Sequence, residues 1–182
     1  AHPHVDCMGE TVVIHNGIVE NYLELKATLV REGHAFSSET DTEVIAHLIE
    51  KHMDEGAPFE EAVRRSLKQI KGAHAIVVMN RRQPDKIIAA RLGNAGGVVI
   101  GFGENEMFVA SDMPAILDHT RKMAFLDNRE MAVVTKAGAT YTTLEGAPVS
   151  KAPQVVAWDA VAAAKDGHRH FMLKEIYEQP HS

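Results

Sequence analysis

"VVIHNGIVEN", residues Val12–Asn21, joins an apolar β-branched run to an Asn-Gly pair and then to polar residues. The run Thr11–His15 reads as a strand, and the fold turns on why it should stop at His15-Asn16-Gly17. Asn-Gly between apolar runs is the strongest short hairpin signal, because both residues tolerate positive φ. Yet a returning strand would consist of Ile18 and Val19 alone, since Glu20 and Asn21 already introduce a helix. The other reading is a strand end that offers a side-chain amide and an unhindered backbone N–H. Two such donors can stabilise a developing oxyanion, each worth about 3 to 4 kcal/mol when preorganised.

Downstream, "NYLELKATLVREG" predicts a helix with Asn21 as cap, Glu24 as its third-position partner and Gly33 at its end. "TDTEVIAHLIEKHMDEG" repeats the grammar: Thr40 and Glu43 form a capping box, and Val44, Ile45, Leu48 and Ile49 make an apolar stripe. A third helix is expected from Pro58, as first helical residue, toward Gly72. After Gly72 the period changes to short β-rich runs: "HAIVVMN", "KIIAARLG", "GVVIGFG", "MFVAS", "MAFLD" and "MAVVTKAG". Several are continuously apolar, so both strand faces are covered, and the expected architecture is α+β with four layers, sheets between helices. "SDMPAIL" predicts one short helix more.

The donors at Asn16 and Gly17 need a substrate holder and a nucleophile. Asp41 falls in the first turn of the second predicted helix, where the dipole favours its ionised form; it could bind an ammonium group or simply strengthen the helix terminus. Cys7 is the single cysteine. Nothing adjacent in sequence but His4 would lower its pKa, so it reads as an inert thiol.

Composition narrows the classes. At 182 residues, with 45% hydrophobic and 24% charged residues, one globular core is expected. A net charge of -6 without clustered Lys or Arg speaks against nucleic acid and against anionic membranes. No apolar run approaches the ~20 residues of a membrane span, and a lone thiol suits a reducing compartment, so a cytoplasmic site is expected. The eleven histidines show no Cys/His spacing of a zinc framework and read as dispersed surface residues, with no metal.

"HNGIVEN", "SSETDTEVIAHLI", "ASDMPAIL" and "HFMLKEIYEQP" together resemble the glutaminase domains of the glutamine:fructose-6-phosphate aminotransferases, and "AHPH" matches the segment before the Asn-Gly strand. The resemblance implies an N-terminal-nucleophile fold, αββα, in which glutamine loses its side-chain amide and ammonia passes to a sugar isomerase module that binds fructose-6-phosphate. It implies that Asn16 and Gly17 form the oxyanion hole, that Gly17 also touches substrate, and that Asp41 holds the α-ammonium of glutamine. It implies no cofactor and a homodimer for the whole protein. The family's nucleophile is an N-terminal cysteine whose own amine is the base, and an Arg-Trp segment clamps the α-carboxylate. Here Ala1 stands first, Cys7 is internal, and the single tryptophan, Trp158, has a different context. Residues 1–178 are therefore expected to be a partial amidotransferase domain, incomplete at its N-terminus and inactive alone, with 179–182 opening a linker. The alternative is a catalytically inactive binding or regulatory domain. A further expectation is that Phe171, Met172, Ile176 and Tyr177 pack an amphipathic helix onto the core.

Overall fold

The protein is described by a computed structural model covering residues 2–157 and 168–179. Trp158 and residues 180–182 lie outside the described residues. Strands β1 (His4–Val5), β2 (Thr11–Gly17), β3 (His74–Asn80), β4 (Lys86–Leu92), β8 (Glu130–Thr135), β9 (Gly138–Thr143) and β10 (Pro148–Val149) form one antiparallel sheet in the order β1-β2-β3-β4-β8-β9-β10. A second antiparallel sheet has the order β11-β7-β5-β6, with β5 (Val99–Phe102), β6 (Met107–Ala110), β7 (Lys122–Phe125) and β11 (Gln154–Val155). The expected α+β class with two antiparallel sheets is what is found.

Helices α1 (Tyr22–Arg31), α2 (Glu43–Asp54) and α3 (Phe59–Gln69) join β2 to β3. Their apolar faces meet one side of the larger sheet, where Val13, Ile76, Val78 and Ile88 pack with Ile45, Ile49, Phe59 and Leu67, all at most 1% exposed. Between the sheets, Ala89, Ala132 and Val134 face Val98, Ile100 and Ala124. The outer side of the smaller sheet is covered by Ile116 and Leu117, which follow a 3-10 helix at Met113–Ala115 capped by the Asp112 carboxylate. The inter-sheet face of β2 is left open at Ile14, which is 52% exposed.

The strand does not stop at His15. It runs through Asn16 and Gly17, paired with Ala75 and His74 of β3, so no Asn-Gly hairpin forms. Local capping signals were overridden by tertiary partners. Asn21 sits at the α1 terminus but spends its side chain on the Gln69 carbonyl and the Lys71 N–H, fastening α1 to the end of α3. Thr40 and Glu43 make no capping box: the Glu43 carboxylate turns to Ser37 and Ser38, and Thr42 is the N-cap residue. Pro58 is likewise the N-cap of α3, one residue before the helix begins.

The six β-rich runs are strands β3 to β8, close to their expected limits. β9 escaped the reading although "GATYTT" carries β-branched and aromatic residues. At the C-terminus α4 (Phe171–Glu178) forms as expected, but Met172, Ile176 and Tyr177 are exposed instead of packed on the core. Nor are the histidines a surface population: His4, His15, His47, His52 and His74 are buried. No described helix is long and apolar enough to cross a membrane.

Candidate active site

Gly17 closes β2 with φ +148, and a Cβ built there would lie 2.2 Å from the Ala73 carbonyl oxygen and 2.8 Å from His15 Nε2. Only glycine fits, so Gly17 has a packing role in addition to any chemistry at its N–H. Asn16 points to the other side of the strand, into a cleft of about 360 Å³ between the sheets, bounded by Ile14, Val77, Val98, Val109 and Ser111. Its Nδ2 lies against Gly96, where a Cβ would come within 2.9 Å. Among the described residues no group hydrogen-bonds the Asn16 side chain.

Asp41 lies just before the helix instead of in its first turn, because Thr42 is the N-cap. Its Oδ2 accepts the Val19 N–H at 2.6 Å, and its carbonyl accepts the Val44 N–H. The carboxylate thereby ties the chain two residues past Gly17 to the start of α2. The three residues singled out from sequence are thus brought to one end of β2.

What sequence reading missed is the pair of imidazoles that binds this end together. His74 Nε2 meets the Lys71 carbonyl at 3.1 Å, so it carries the proton and donates. His74 Nδ1 must then accept from His15 Nε2 at 3.0 Å, and His15 Nδ1 accepts from the Thr42 hydroxyl at 2.9 Å. With both rings neutral, one direction of donation runs from Thr42 through His15 and His74 to Lys71. A second proton on His15 would only reverse the contact with the Thr42 hydroxyl, which can also accept, so it is burial that opposes the charge. Burial and the neighbouring His74 push His15 down to about 4, and burial likewise lowers His74. The only sequence signal for this pair was His15 beside Asn16.

Glu43 holds the loop that carries Asp41. Burial alone would raise its carboxyl, but the N–H groups and hydroxyls of Ser37 and Ser38 win and hold it at about 2. Partial burial pushes the Cys7 thiol up, further from the thiolate. It is exposed and sits in the turn between β1 and β2.

A family profile described as "Glutamine amidotransferase domain" matches residues 1–118. This chain belongs to the glutamine amidotransferase domain family. Relatives in that family include the glutamine–fructose-6-phosphate aminotransferases of Methanothermobacter thermautotrophicus, 51% identical over 180 residues, and Aquifex aeolicus, 50% identical. Each alignment covers 99% of this chain and 30% of the relative, so the chain spans about a third of the length of these proteins. Among solved structures it is similar to a glutamine phosphoribosylpyrophosphate amidotransferase from B. subtilis, with TM-score 0.64 and 27% identity over 74% of this chain and 29% of that one. A glutamine aminotransferase class-II domain protein from Silicibacter pomeroyi shares the fold at TM-score 0.61 and 19% identity, covering 81% and 72% of the two chains. The amidotransferase fold expected from the sequence is therefore the one present.

Proposed function

We propose that this chain is the ammonia-generating part of a glutamine:fructose-6-phosphate aminotransferase, with Asn16 Nδ2 and Gly17 N–H as the oxyanion hole and Asp41 as the holder of the glutamine α-ammonium. The observation that carries the reading is the convergence of Asn16, Gly17 and Asp41 at one strand end, joined by the Val19-to-Asp41 hydrogen bond. A thiolate N-terminal to this segment adds to the glutamine side-chain carbon, and negative charge forms on oxygen. Donors fixed on a paired strand need no reorganisation to meet it. The proton that the thiol gave to the cysteine's own α-amine passes to the amide nitrogen as the C–N bond breaks, so ammonia leaves, and water then cleaves the thioester to glutamate and the free thiol. Neither step needs a metal or an organic cofactor.

Ammonia would pass to a sugar isomerase module that holds fructose-6-phosphate, in a homodimeric cytoplasmic protein. The exposed apolar residues of α4, Met172, Ile176 and Tyr177, are available for docking to such a module. Residues 179–182 would open the connection to it. The test is ammonia release from glutamine by the full-length protein. Asn16→Ala lowers kcat about 10²- to 10³-fold with KM little changed. An unchanged kcat overturns the assignment, and a wild-type protein that binds glutamine without hydrolysing it favours the inactive binding domain.

A further inference from the structure

Three segments bring four ligand-type side chains together beside α2. Cys7 comes from the turn between β1 and β2, His34 from the loop after α1, and His47 and Glu50 from successive turns of α2. Cys7 Sγ lies 3.5 Å from His47 Nδ1 and 3.7 Å from His34 Nδ1. Glu50 Oε2 lies 2.8 Å from His34 Nδ1 and 3.2 Å from His47 Nδ1. All four atoms fall within 4.8 Å of one another.

The Cys7–His47, Cys7–His34 and His47–Glu50 separations are close to the edges of a coordination tetrahedron, whereas His34 and Glu50 stand closer, at hydrogen-bond distance. With Zn–S of ~2.3 Å and Zn–N or Zn–O of ~2.05 Å, tetrahedral angles place sulfur and nitrogen ~3.6 Å apart and nitrogen and oxygen ~3.3 Å apart. Proton placement on His47 points the same way. Its Nδ1 faces the Glu50 carboxylate, while its Nε2, buried and without a hydrogen bond, faces the Glu43 carboxylate at 3.5 Å. A neutral imidazole has one N–H, so either tautomer leaves a lone pair against a carboxylate oxygen. A cation between Nδ1 and Oε2 removes that conflict and leaves Nε2–H for Glu43. A carboxylate behind the ring is the usual outer partner of a metal-bound histidine.

We propose that Cys7 Sγ, His34 Nδ1, His47 Nδ1 and Glu50 Oε2 form a binding site for one divalent zinc ion, separate from the glutaminase site. One thiolate, two imidazoles and a carboxylate are a donor set matched to zinc over harder cations. Exposure of Cys7 gives the ion a way in. Bound there, the ion fastens the β1–β2 turn and the post-α1 loop to α2, whose first residues follow Asp41.

The experiment uses untagged full-length protein stripped with a chelator, titrated with Zn2+ against a chromophoric competitor and, separately, with Co2+. The expected result is one equivalent bound at this site and a near-ultraviolet thiolate-to-Co2+ charge-transfer band with the strong visible bands of a tetrahedral ion. Cys7→Ser abolishes the charge-transfer band, and Glu50→Gln weakens Zn2+ binding by about 10-fold or more. Because Cys7 is exposed, its variant is expected to fold, and circular dichroism verifies this. Failure of the wild type to bind stoichiometric Zn2+, or a Co2+ spectrum that Cys7→Ser leaves unchanged, overturns the proposal.

Discussion

His15 Nε2 lies 3.0 Å from His74 Nδ1, and with both rings neutral the Lys71 carbonyl beyond His74 fixes the direction in which that contact donates. Both rings are buried at the end of β2, and burial favours the neutral form of each. A buried histidine held neutral makes stability depend on pH with a definite sign.

His15 is lowered from 6.5 to about 4. Between those values the unfolded chain binds a proton that the folded chain refuses, so stability is full above pH 6.5, falls as pH drops, and levels off below about 4. The loss from this group is up to about 3 kcal/mol. Urea midpoints measured from pH 7 to pH 4 should fall more steeply in the wild type than in His15→Gln. Equal slopes would refute the neutral pair.

Asp41 has two separable tasks, because its Oδ2 accepts the Val19 N–H whether or not the group is charged. Asp41→Asn keeps an acceptor and removes the charge. It should raise the glutamine KM about 10-fold or more, in line with a lost charge-assisted bond of ~1.5–3 kcal/mol, while the melting temperature stays close to wild type. If the melting temperature falls and KM does not rise, the carboxylate is an anchor only.

Gly17→Ala places a methyl group 2.2 Å from the Ala73 carbonyl at φ +148. Neither backbone can yield without breaking the β2–β3 pairing at its end. The substitution should destabilise the fold by more than about 2 kcal/mol, readable as a lower denaturant midpoint. A stability like the wild type would show that the strand end can shift.

Glu43 fixes the loop from Ser37 to Thr42 through its bonds to both serines. Glu43→Ala should cost about 3 kcal/mol, since it strips charge-assisted acceptors from two backbone N–H groups. It should also raise the glutamine KM by freeing Asp41. Stability lost with KM unchanged would confine Glu43 to a structural part.

Much of this protein was written locally. The β-branched run before Asn16, the 3.6-residue apolar spacing in Val44, Ile45, Leu48 and Ile49, and the six apolar runs after Gly72 each specify an element through neighbours in the chain. Asn16, Gly17 and Asp41 could be picked out because they lie beside such elements. What tertiary structure alone decided is where polar side chains find partners. Asn21 and Glu43 carried capping signals, yet Asn21 bonds residues 48 and 50 positions away, and Glu43 bonds a loop folded back against its helix. The His15–His74 pair spans 59 residues, and Cys7 meets His47 across 40. Periodicity reports which face of an element is apolar, but a hydrogen bond or a metal tetrahedron depends on atoms placed within tenths of an ångström by packing between elements. No spacing in a one-dimensional string encodes that placement.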